Sequence, residues 1–140
     1  MARPVTRYAL LASAWCALVA QSALAQQQVA LEPYFNVASP LELVAAKEGD
    51  RIAWTVYEAG LRNVYTAAAP EYTPVRLTSF LQDNGQEVSG VRLSDDGAIA
   101  IFMRGHAPNR DGWVANPMHD PAGSERALWA ARTAGGAAWR

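Results

Sequence analysis

The chain has 140 residues, of which 51% are hydrophobic and 18% are charged, a composition that is typical of one modest globular domain. Its formal net charge is −1, and acidic and basic residues are interspersed along the chain. That balance offers no basic stripe for nucleic acid and no polybasic segment for an anionic membrane, so neither partner is predicted.

Segment 1–25 has the three parts of a secretory signal peptide. Arg3 and Arg7 give a positive start, residues 8–20 are apolar, and Ala23 and Ala25 form a small-x-small cleavage pattern. The apolar run is shorter than the roughly 20 residues that a membrane-spanning helix needs. The sequence therefore predicts a signal-peptide helix, cleavage after Ala25, and a periplasmic or secreted protein that is not held in the membrane.

The only cysteine of the chain, Cys16, lies inside this apolar run. A lipid-modified anchor cysteine is the alternative interpretation. It is disfavoured because the bulky Trp15 precedes Cys16 and the apolar run continues beyond it. With Cys16 in the signal peptide, the exported part has no cysteine and its stability must come from packing.

Residues 26–40 are polar, with Pro33 and Pro40 as breakers, and they predict an irregular lead-in. From residue 41 onward, apolar and polar residues alternate, which is typical of strands with one buried face. The predicted strands are residues 41–46, 51–58, 63–68, 75–78, 88–93, 98–104 and 127–133, and residues 137–140 begin another.

Short turns separate most of these strands. The clearest is the turn 94–97, where an Asp-Gly pair signals a hairpin because Gly97 accepts the positive φ that the turn needs. Residues 105–124 are the exception, since they are long and rich in Pro, Asn, Asp and Gly. They predict a surface loop, a common place for a binding element.

The predicted strands repeat along the chain with two spacings. Segment 43–54 has the layout of segment 91–102, with Trp54 matching Phe102, and we call this spacing the first offset. A longer spacing, the second offset, relates segment 62–67 to segment 126–131, and residues 74–76 to residues 138–140. The second offset exceeds the first by the number of residues that the loop 105–124 adds to the second unit relative to the first.

Self-similarity at about 40–50 residues, made of short strands and turns, is typical of β-propellers. The sequence therefore predicts an all-β fold, an incomplete propeller of about two antiparallel blades over residues 41–78 and 88–140, the second of them truncated. Blades stabilise one another by stacking, and unpaired strand edges are exposed to pairing with strands of other chains. We expect the isolated chain to be poorly stable or to aggregate.

The repeat resembles known propellers. The turn 94–97 followed by the apolar strand 99–102 is similar to the repeat of TolB-type propellers, in which a Ser-Pro-Asp-Gly turn precedes such a strand, although Asp95 replaces the proline. The combination of motifs across the two units more closely resembles the start of secreted bacterial peptidases of the prolyl oligopeptidase family. These motifs are residues 62–65, 76–78, 83–87, 116–117 and 120–123.

In that family, an N-terminal propeller of the dipeptidyl-peptidase type covers a C-terminal α/β-hydrolase domain with a Ser-Asp-His triad and restricts substrates to oligopeptides. The resemblance covers residues 41–140 and implies the propeller part of an exported serine peptidase whose catalytic domain lies further along. One alternative is a non-enzymatic periplasmic propeller of the TolB kind that binds protein partners. Another, less favoured, is a complete small exported protein.

No residue of this chain is predicted to be catalytic. A nucleophile elbow needs Gly-x-Ser-x-Gly, and neither Ser89 nor Ser124 has both glycines. His106 and His119 lack the other members of a triad. Together with Asp111 and Asp120 these histidines offer nitrogen and oxygen ligands, but their spacing matches no metal motif, so no metal and no cofactor is predicted.

The remaining candidates are acidic and aromatic. Exopeptidases that resemble this family hold the amino terminus of a substrate with propeller carboxylates. Glu87 and Glu125 are not paired in the sequence and each begins a strand, so a solvated role is expected. Trp113 in the loop is a candidate for stacking on a substrate or a second domain, whereas Trp54 and Trp129 are predicted to pack in the core, each contributing about 2 kcal/mol.

Overall fold

A computed structural model describes residues 37–140. The predicted signal-peptide helix, its cleavage point and most of the lead-in lie outside the described residues. Within them the chain forms seven β-strands in one compact unit. In this range no helix is long and apolar enough to cross a membrane.

The strands form two antiparallel sheets, which confirms the predicted all-β class. Sheet 1 has four strands in the order β1-β2-β3-β4: β1 (Ser39–Ala45), β2 (Arg51–Glu58), β3 (Leu61–Ala68) and β4 (Val75–Arg76). Sheet 2 has three strands in the order β5-β6-β7: β5 (Val88–Leu93), β6 (Ile99–Arg104) and β7 (Ala127–Arg132).

Several predicted strand ends are wrong by one or two positions. The lead-in ends earlier than expected because Ser39 and Pro40 already pair with β2. β3 begins at Leu61, since a tight turn brings Leu61 opposite Glu58. Of the strand predicted at 137–140, only Trp139 pairs, in an isolated bridge to β7.

The first two strands of each sheet pair in the same register. In sheet 1 the register shifts after Leu41, and in sheet 2 it shifts after Ser89, which is the equivalent position at the first offset. Such a shift marks a β-bulge, in which an extra residue is accommodated on one strand. The bulges place residues with positive φ at equivalent positions, Glu42 (φ 53°) and Gly90 (φ 67°).

The later strands follow the second offset. Trp54 lies opposite Tyr65 in sheet 1, and Phe102 lies opposite Trp129 in sheet 2. The outermost pairs obey the same rule, since Thr66 faces Val75 and Ala130 faces Trp139. The two offsets found in the sequence are therefore confirmed as a structural repeat.

The two sheets pack against each other across a shared apolar core. Ala53 and Val64 of sheet 1 lie in one buried cluster with Val91, Ala100 and Phe102 of sheet 2. All five side chains are fully buried, and Phe102 is the largest of them. Burying apolar surface stabilises by roughly 25 cal/mol per Å², so this interface is the main apolar contribution to the fold.

The turns also join the two sheets. The backbone N–H of Glu48 donates to the carbonyl of Asp95 at 2.7 Å, and the Lys47 ammonium pairs with the Asp95 carboxylate at 2.8 Å. Gly97 has φ 71°, as the predicted hairpin requires, and a Cβ there would lie 3.0 Å from the Cβ of Arg51. The turn 94–97 is therefore both a hairpin and part of the contact between the sheets.

Candidate functional site

The candidate site lies at the end of sheet 2 where β5 begins, β6 ends and β7 begins. Arg104, the last residue of β6, lies opposite both Val88 and Ala127. The next residue, Gly105, donates from its backbone N–H to the carbonyl of Glu87 at 2.8 Å. These pairings bring together the segment before β5 and both ends of the long loop, which in the structure spans residues 105–126 between β6 and β7.

The base of the loop is closed by a tight backbone contact. A Cβ on Gly105 would collide with the carbonyl oxygen of Glu125, and Gly105 has φ 106°. Only glycine fits such a position without displacing backbone. The Arg126 guanidinium also donates to the carbonyl of His106 at 2.6 Å. The two ends of the loop therefore meet at two places, Gly105 against Glu125 and His106 against Arg126.

Glu125 is held in a partly buried ion pair. One carboxylate oxygen accepts from the Arg104 guanidinium, and the other accepts from the Trp129 indole N–H at 3.3 Å. Its side chain is 23% exposed, so the expected solvated role of Glu125 is wrong. Because Arg104 and Glu125 neutralise each other, this end of the sheet presents little net charge from the pair.

An aromatic cluster supports that ion pair. Phe80, from the segment between the sheets, packs edge-on against Trp129 at 5.5 Å and against Phe102 at 6.3 Å. The Arg104 guanidinium lies 4.6 Å from the centre of the Phe80 ring, within cation–π distance. The predicted core packing is confirmed for Trp129.

Trp54 has a different environment from the one predicted. It stacks on Tyr65, with ring centres 6.0 Å apart and planes 22° from parallel. Residues alternate between the two faces of a strand, so Trp54 lies on the opposite side of β2 from the buried Ala53. The expected place of Trp54 in the core is therefore wrong.

His106 bridges the segment before β5 and the loop. Its Nδ1 lies 3.4 Å from a carboxylate oxygen of Glu87, and its Nε2 lies 2.8 Å from the carbonyl oxygen of Gly85. Both partners are acceptors, and a ring nitrogen of His106 can donate to one of them only where it carries a hydrogen. The Glu87 side chain is thus paired with His106, and because it is 41% exposed it is also partly solvated.

Asn63 anchors the segment that carries Phe80. This buried side chain accepts from the Thr78 hydroxyl at 2.8 Å and from the Phe80 N–H at 2.9 Å. Its amide nitrogen donates to the Phe80 carbonyl at 3.1 Å. The backbone around Phe80 is thereby fixed against β3.

A cleft of about 260 Å³ opens beside this segment. Typical small-molecule sites occupy about 300–1,000 Å³, so the cleft suits a group the size of one amino-acid side chain. Its amide and hydroxyl groups can donate and accept hydrogen bonds, and its one charged residue is the ion-paired Arg104. The lining residues are Ser79, Phe80, Leu81, Gln82, Asn84 and Arg104.

Among residues 37–140, no serine hydroxyl hydrogen-bonds to a histidine. The imidazole of His106 contacts Glu87 and Gly85 rather than a serine hydroxyl. Over residues 37–140, no three side chains of His, Cys, Asp or Glu are placed to hold a metal ion. Asp120 instead accepts from the Ala122 N–H at 2.8 Å, within its own turn.

The loop presents Trp113 to solvent. The side-chain oxygen of Asn109 accepts from the Trp113 N–H at 2.9 Å and from the Asp111 N–H at 3.0 Å. Trp113 itself is 76% exposed. A large apolar ring on a hydrogen-bonded turn is a suitable contact for another molecule or domain.

Sequence reasoning missed three residues of this site, Asn63, Phe80 and Arg104. The available signal is strongest for Asn63, an amide that shares one face of β3 with Leu61 and Tyr65, the residues two positions to either side. A polar group at such a position has to find hydrogen-bond partners when the strand is buried.

Comparison of the chain with protein-family models, with curated proteins and with solved structures finds no match.

Proposed function

We propose that residues 39–140 are part of a β-propeller at the N-terminal side of an exported serine peptidase of the prolyl oligopeptidase type. The main support is the shared register of the two stacked sheets, which includes the bulge at Glu42 and Gly90. Stacked antiparallel sheets in a regular repeat are what a propeller requires. The peptidase assignment comes from the sequence motifs.

In this proposal the chain contributes access and contact surfaces, not catalysis. The triad belongs to a C-terminal α/β-hydrolase domain, and the propeller limits substrates to oligopeptides. We assign the contact with the substrate or the catalytic domain to the loop 105–126, because it is closed at its base and exposes Trp113. The cleft of about 260 Å³ would accept one side chain of such a peptide.

The proposed location is the periplasm or the medium, reached by a signal peptide cleaved after Ala25. The charged start, apolar run and small-residue pattern support it. N-terminal sequencing of the protein recovered from the periplasmic fraction tests this step. A mature protein that begins at Gln26 is expected, and one that retains Arg3 in the cytoplasmic fraction would contradict export.

Active-site labelling tests the peptidase assignment. The gene is expressed with its natural downstream sequence, and the product is treated with a fluorophosphonate probe that modifies activated serines. We expect labelling at a serine in a Gly-x-Ser-x-Gly segment that is followed by Asp and His. A product that contains this repeat but lacks that segment and remains unlabelled would exclude the peptidase.

The second candidate is a non-enzymatic propeller of the TolB kind that binds protein partners. The exposed Trp113 on a structured loop is the observation that favours it. In that case the fluorophosphonate probe does not react, and Trp113→Ala removes a partner that is recovered with the unaltered protein by cross-linking in the periplasm.

A further inference from the structure

One peptide bond of the long loop combines a reactive sequence with a constrained geometry. Asp120 is the only aspartate of the chain that is followed by a proline. The bond to Pro121 is a tertiary amide, and its nitrogen leaves as a strongly basic secondary amine once it is protonated. The Asp120 carboxyl group can reach the carbonyl carbon of this bond by closing an unstrained five-membered ring. The bond therefore has a nucleophile beside it and a good leaving group.

The Asp120 carboxylate is folded over this bond. Its Oδ1 accepts from the Ala122 N–H at 2.8 Å. Because Ala122 lies beyond Pro121, this hydrogen bond carries the carboxylate across the bond instead of letting it extend into solvent. A nucleophile fixed beside the carbon that it attacks avoids the loss of freedom that slows the same reaction in a flexible chain. Asp120 is also exposed, so water reaches the site.

Two donors converge on the carbonyl oxygen of the same bond. The Asn116 side-chain amide donates to the Asp120 carbonyl oxygen at 2.9 Å, and the Gly123 N–H donates to the same oxygen at 2.9 Å. Paired donors at this distance stabilise the negative oxygen of a tetrahedral intermediate. The carbonyl group is therefore polarised on the side where negative charge would develop during an attack.

The fold imposes this arrangement. The side-chain oxygen of Asn116 accepts from the Asp120 N–H at 3.1 Å, so one side chain holds both backbone groups of Asp120. The preceding residue, His119, has φ 52°, a conformation that a non-glycine residue keeps only when its surroundings hold it there. An unfolded chain has the same Asp-Pro sequence but neither the fixed carboxylate nor the two donors.

We infer that the chain cleaves its own Asp120–Pro121 bond, with the Asp120 carboxyl group as the nucleophile. The carboxyl oxygen adds to the carbonyl carbon, and the carboxyl proton passes to the Pro121 nitrogen as the C–N bond breaks. The products are a five-membered cyclic anhydride at Asp120 and a free secondary amine at Pro121. One water then opens the anhydride and leaves two carboxyl groups on Asp120, so the sum is hydrolysis of one peptide bond.

Cleavage opens the long loop without breaking a strand. β6 ends at Arg104 and β7 begins at Ala127, and the two strands pair along their whole length. The two pieces of the chain therefore stay joined through sheet 2. The reaction goes beyond the proposed function, because it needs no residue of another domain.

Incubation of the full gene product, with its natural downstream sequence, tests the inference. The product is first treated with the fluorophosphonate probe, so that no activated serine contributes. It is then kept in heavy-oxygen water at about pH 4, where a substantial fraction of ordinary aspartic acid side chains is protonated. Circular dichroism confirms that the β-sheet persists, and a matched sample is unfolded in urea at the same pH. Mass spectrometry follows the pieces that end at Asp120 and begin at Pro121.

The folded product should be cleaved at this bond at least about tenfold faster than the unfolded one, because only the folded chain aligns the carboxyl group with both donors. Part of the heavy oxygen should appear in the side-chain carboxyl group of Asp120, since water can open the anhydride at either carbonyl. A contaminating protease would label the main-chain carboxyl group alone.

Three variants assign the roles. Asn116→Ala removes one donor and should slow cleavage by about tenfold. Asn109→Ala is the matched control, because Asn109 accepts from two N–H groups in the neighbouring turn of the same loop and does not contact this bond. It should be cleaved at the unaltered rate. Asp120→Glu keeps the charge but would have to close a six-membered ring, so this bond should stay intact.

Equal rates in the folded and unfolded products would overturn the inference, since they would reduce cleavage to the ordinary lability of an Asp-Pro bond. Absence of cleavage, label confined to the main-chain carboxyl group, or equal slowing by the Asn116 and Asn109 variants would overturn it too. The comparison of folded with unfolded product needs no variant, so it decides even if a substitution disturbs the loop. Because activated serines are blocked throughout, these results leave the peptidase proposal to its own test.

Discussion

The carboxylate of Glu42 accepts a hydrogen bond from the backbone N–H of Val91 at 3.3 Å, which joins the bulge of sheet 1 to the first strand of sheet 2. Glu42 has φ 53°, whereas its counterpart Gly90 has φ 67° and no Cβ to strain. Position 42 therefore combines an unfavourable backbone conformation with a stabilising contact between the sheets.

A pair of substitutions at position 42 separates these two effects. Glu42→Ala removes the hydrogen bond and keeps the strain, so it should lower the free energy of unfolding by about 1–2 kcal/mol. Glu42→Gly removes the same bond but relieves the strain, so it should be more stable than the alanine variant by about 0.5–1 kcal/mol. Urea unfolding measures both, and an alanine variant more stable than the glycine variant would contradict the account.

Asn63 should be far more important to stability than an exposed asparagine with similar bonds. Asn63→Ala leaves the hydrogen of the Thr78 hydroxyl and both backbone groups of Phe80 without partners, while the Thr78 oxygen still accepts from the Val64 N–H. This change should cost about 2–3 kcal/mol. The control is Asn116→Ala, since Asn116 also bonds both backbone groups of one residue, Asp120, but in the exposed loop. It should cost no more than about 0.5 kcal/mol.

Amide hydrogen exchange provides a local measurement for the same pair. Faster exchange at Phe80 is expected in the Asn63 variant, because its N–H loses the acceptor. No change at Phe80 is expected in the Asn116 variant. Equal loss of stability in the two variants would show that Asn63 does not anchor the segment between the sheets.

Gly105 and Gly112 distinguish a steric requirement from a conformational one. Both have positive φ, 106° and 86°, but only Gly105 approaches another backbone segment, and the space around Gly112 is open to 4 Å. Gly112→Ala should therefore cost about 1 kcal/mol, from φ alone. Gly105→Ala should cost about 3 kcal/mol or more, because the base of the loop must separate.

Thermal unfolding measures the stability of the two alanine variants, and the fluorescence of Trp113 and Trp129 reports the environments of these two side chains. In the Gly105 variant, displacement of Glu125 should alter the emission of Trp129, whose indole N–H donates to the Glu125 carboxylate. Similar stability for the two alanine variants would mean that the loop base adapts to a side chain.

Asp96 gives the hairpin turn a defined pH dependence. Hydrogen bonds from the Ser94 hydroxyl and the Ala98 N–H lower the pKa of the Asp96 carboxyl below its usual value. A carboxyl whose pKa is lower in the folded state stabilises it above the unfolded pKa, and that contribution is lost as pH falls through the folded pKa. The loss therefore occurs below about pH 4.

Ser94→Ala should raise the pKa of Asp96 in a carboxyl-carbon NMR titration, because it removes the hydrogen bond that lowers this pKa most. Asp96→Asn should be destabilised relative to the unaltered chain at about pH 6 and less so at about pH 3. Identical pH profiles for the Asn variant and the unaltered chain would show that the turn does not depend on this carboxylate.

The repeat and its turns could be predicted from the sequence because they are local. Alternating residues indicate strands, and the Asp-Gly pair indicates the hairpin that Gly97 forms. The bounds of β4 could not be predicted. Leu77 continues the apolar pattern, and its N–H still donates to the Val64 carbonyl. The Thr78 hydroxyl, however, donates to the side chain of Asn63, a residue that is distant in sequence.

The candidate site depended still more on distant contacts. Glu125 resembles any polar residue before a strand, and its pairing with Arg104 arises only when the loop returns to the end of β6. Phe80 lies in an irregular segment, so no periodicity marks it as part of an aromatic cluster. The environment of Trp54 does not follow from the sequence, because strand alternation shows which residues share a face but not which of the two faces a second sheet covers.

The contact between Gly105 and Glu125 has a consequence for how this molecule can vary. Arg104 faces Ala127 just as Val56 faces Asn63, although a tight turn joins one pair of strands and the loop 105–126 joins the other. The pairing of β6 with β7 therefore matches that of β2 with β3, although the segments that join the two pairs of strands differ in length. We therefore expect changes in the length or composition of the segment between Gly105 and Glu125 to leave the pairing of β6 with β7 unaltered.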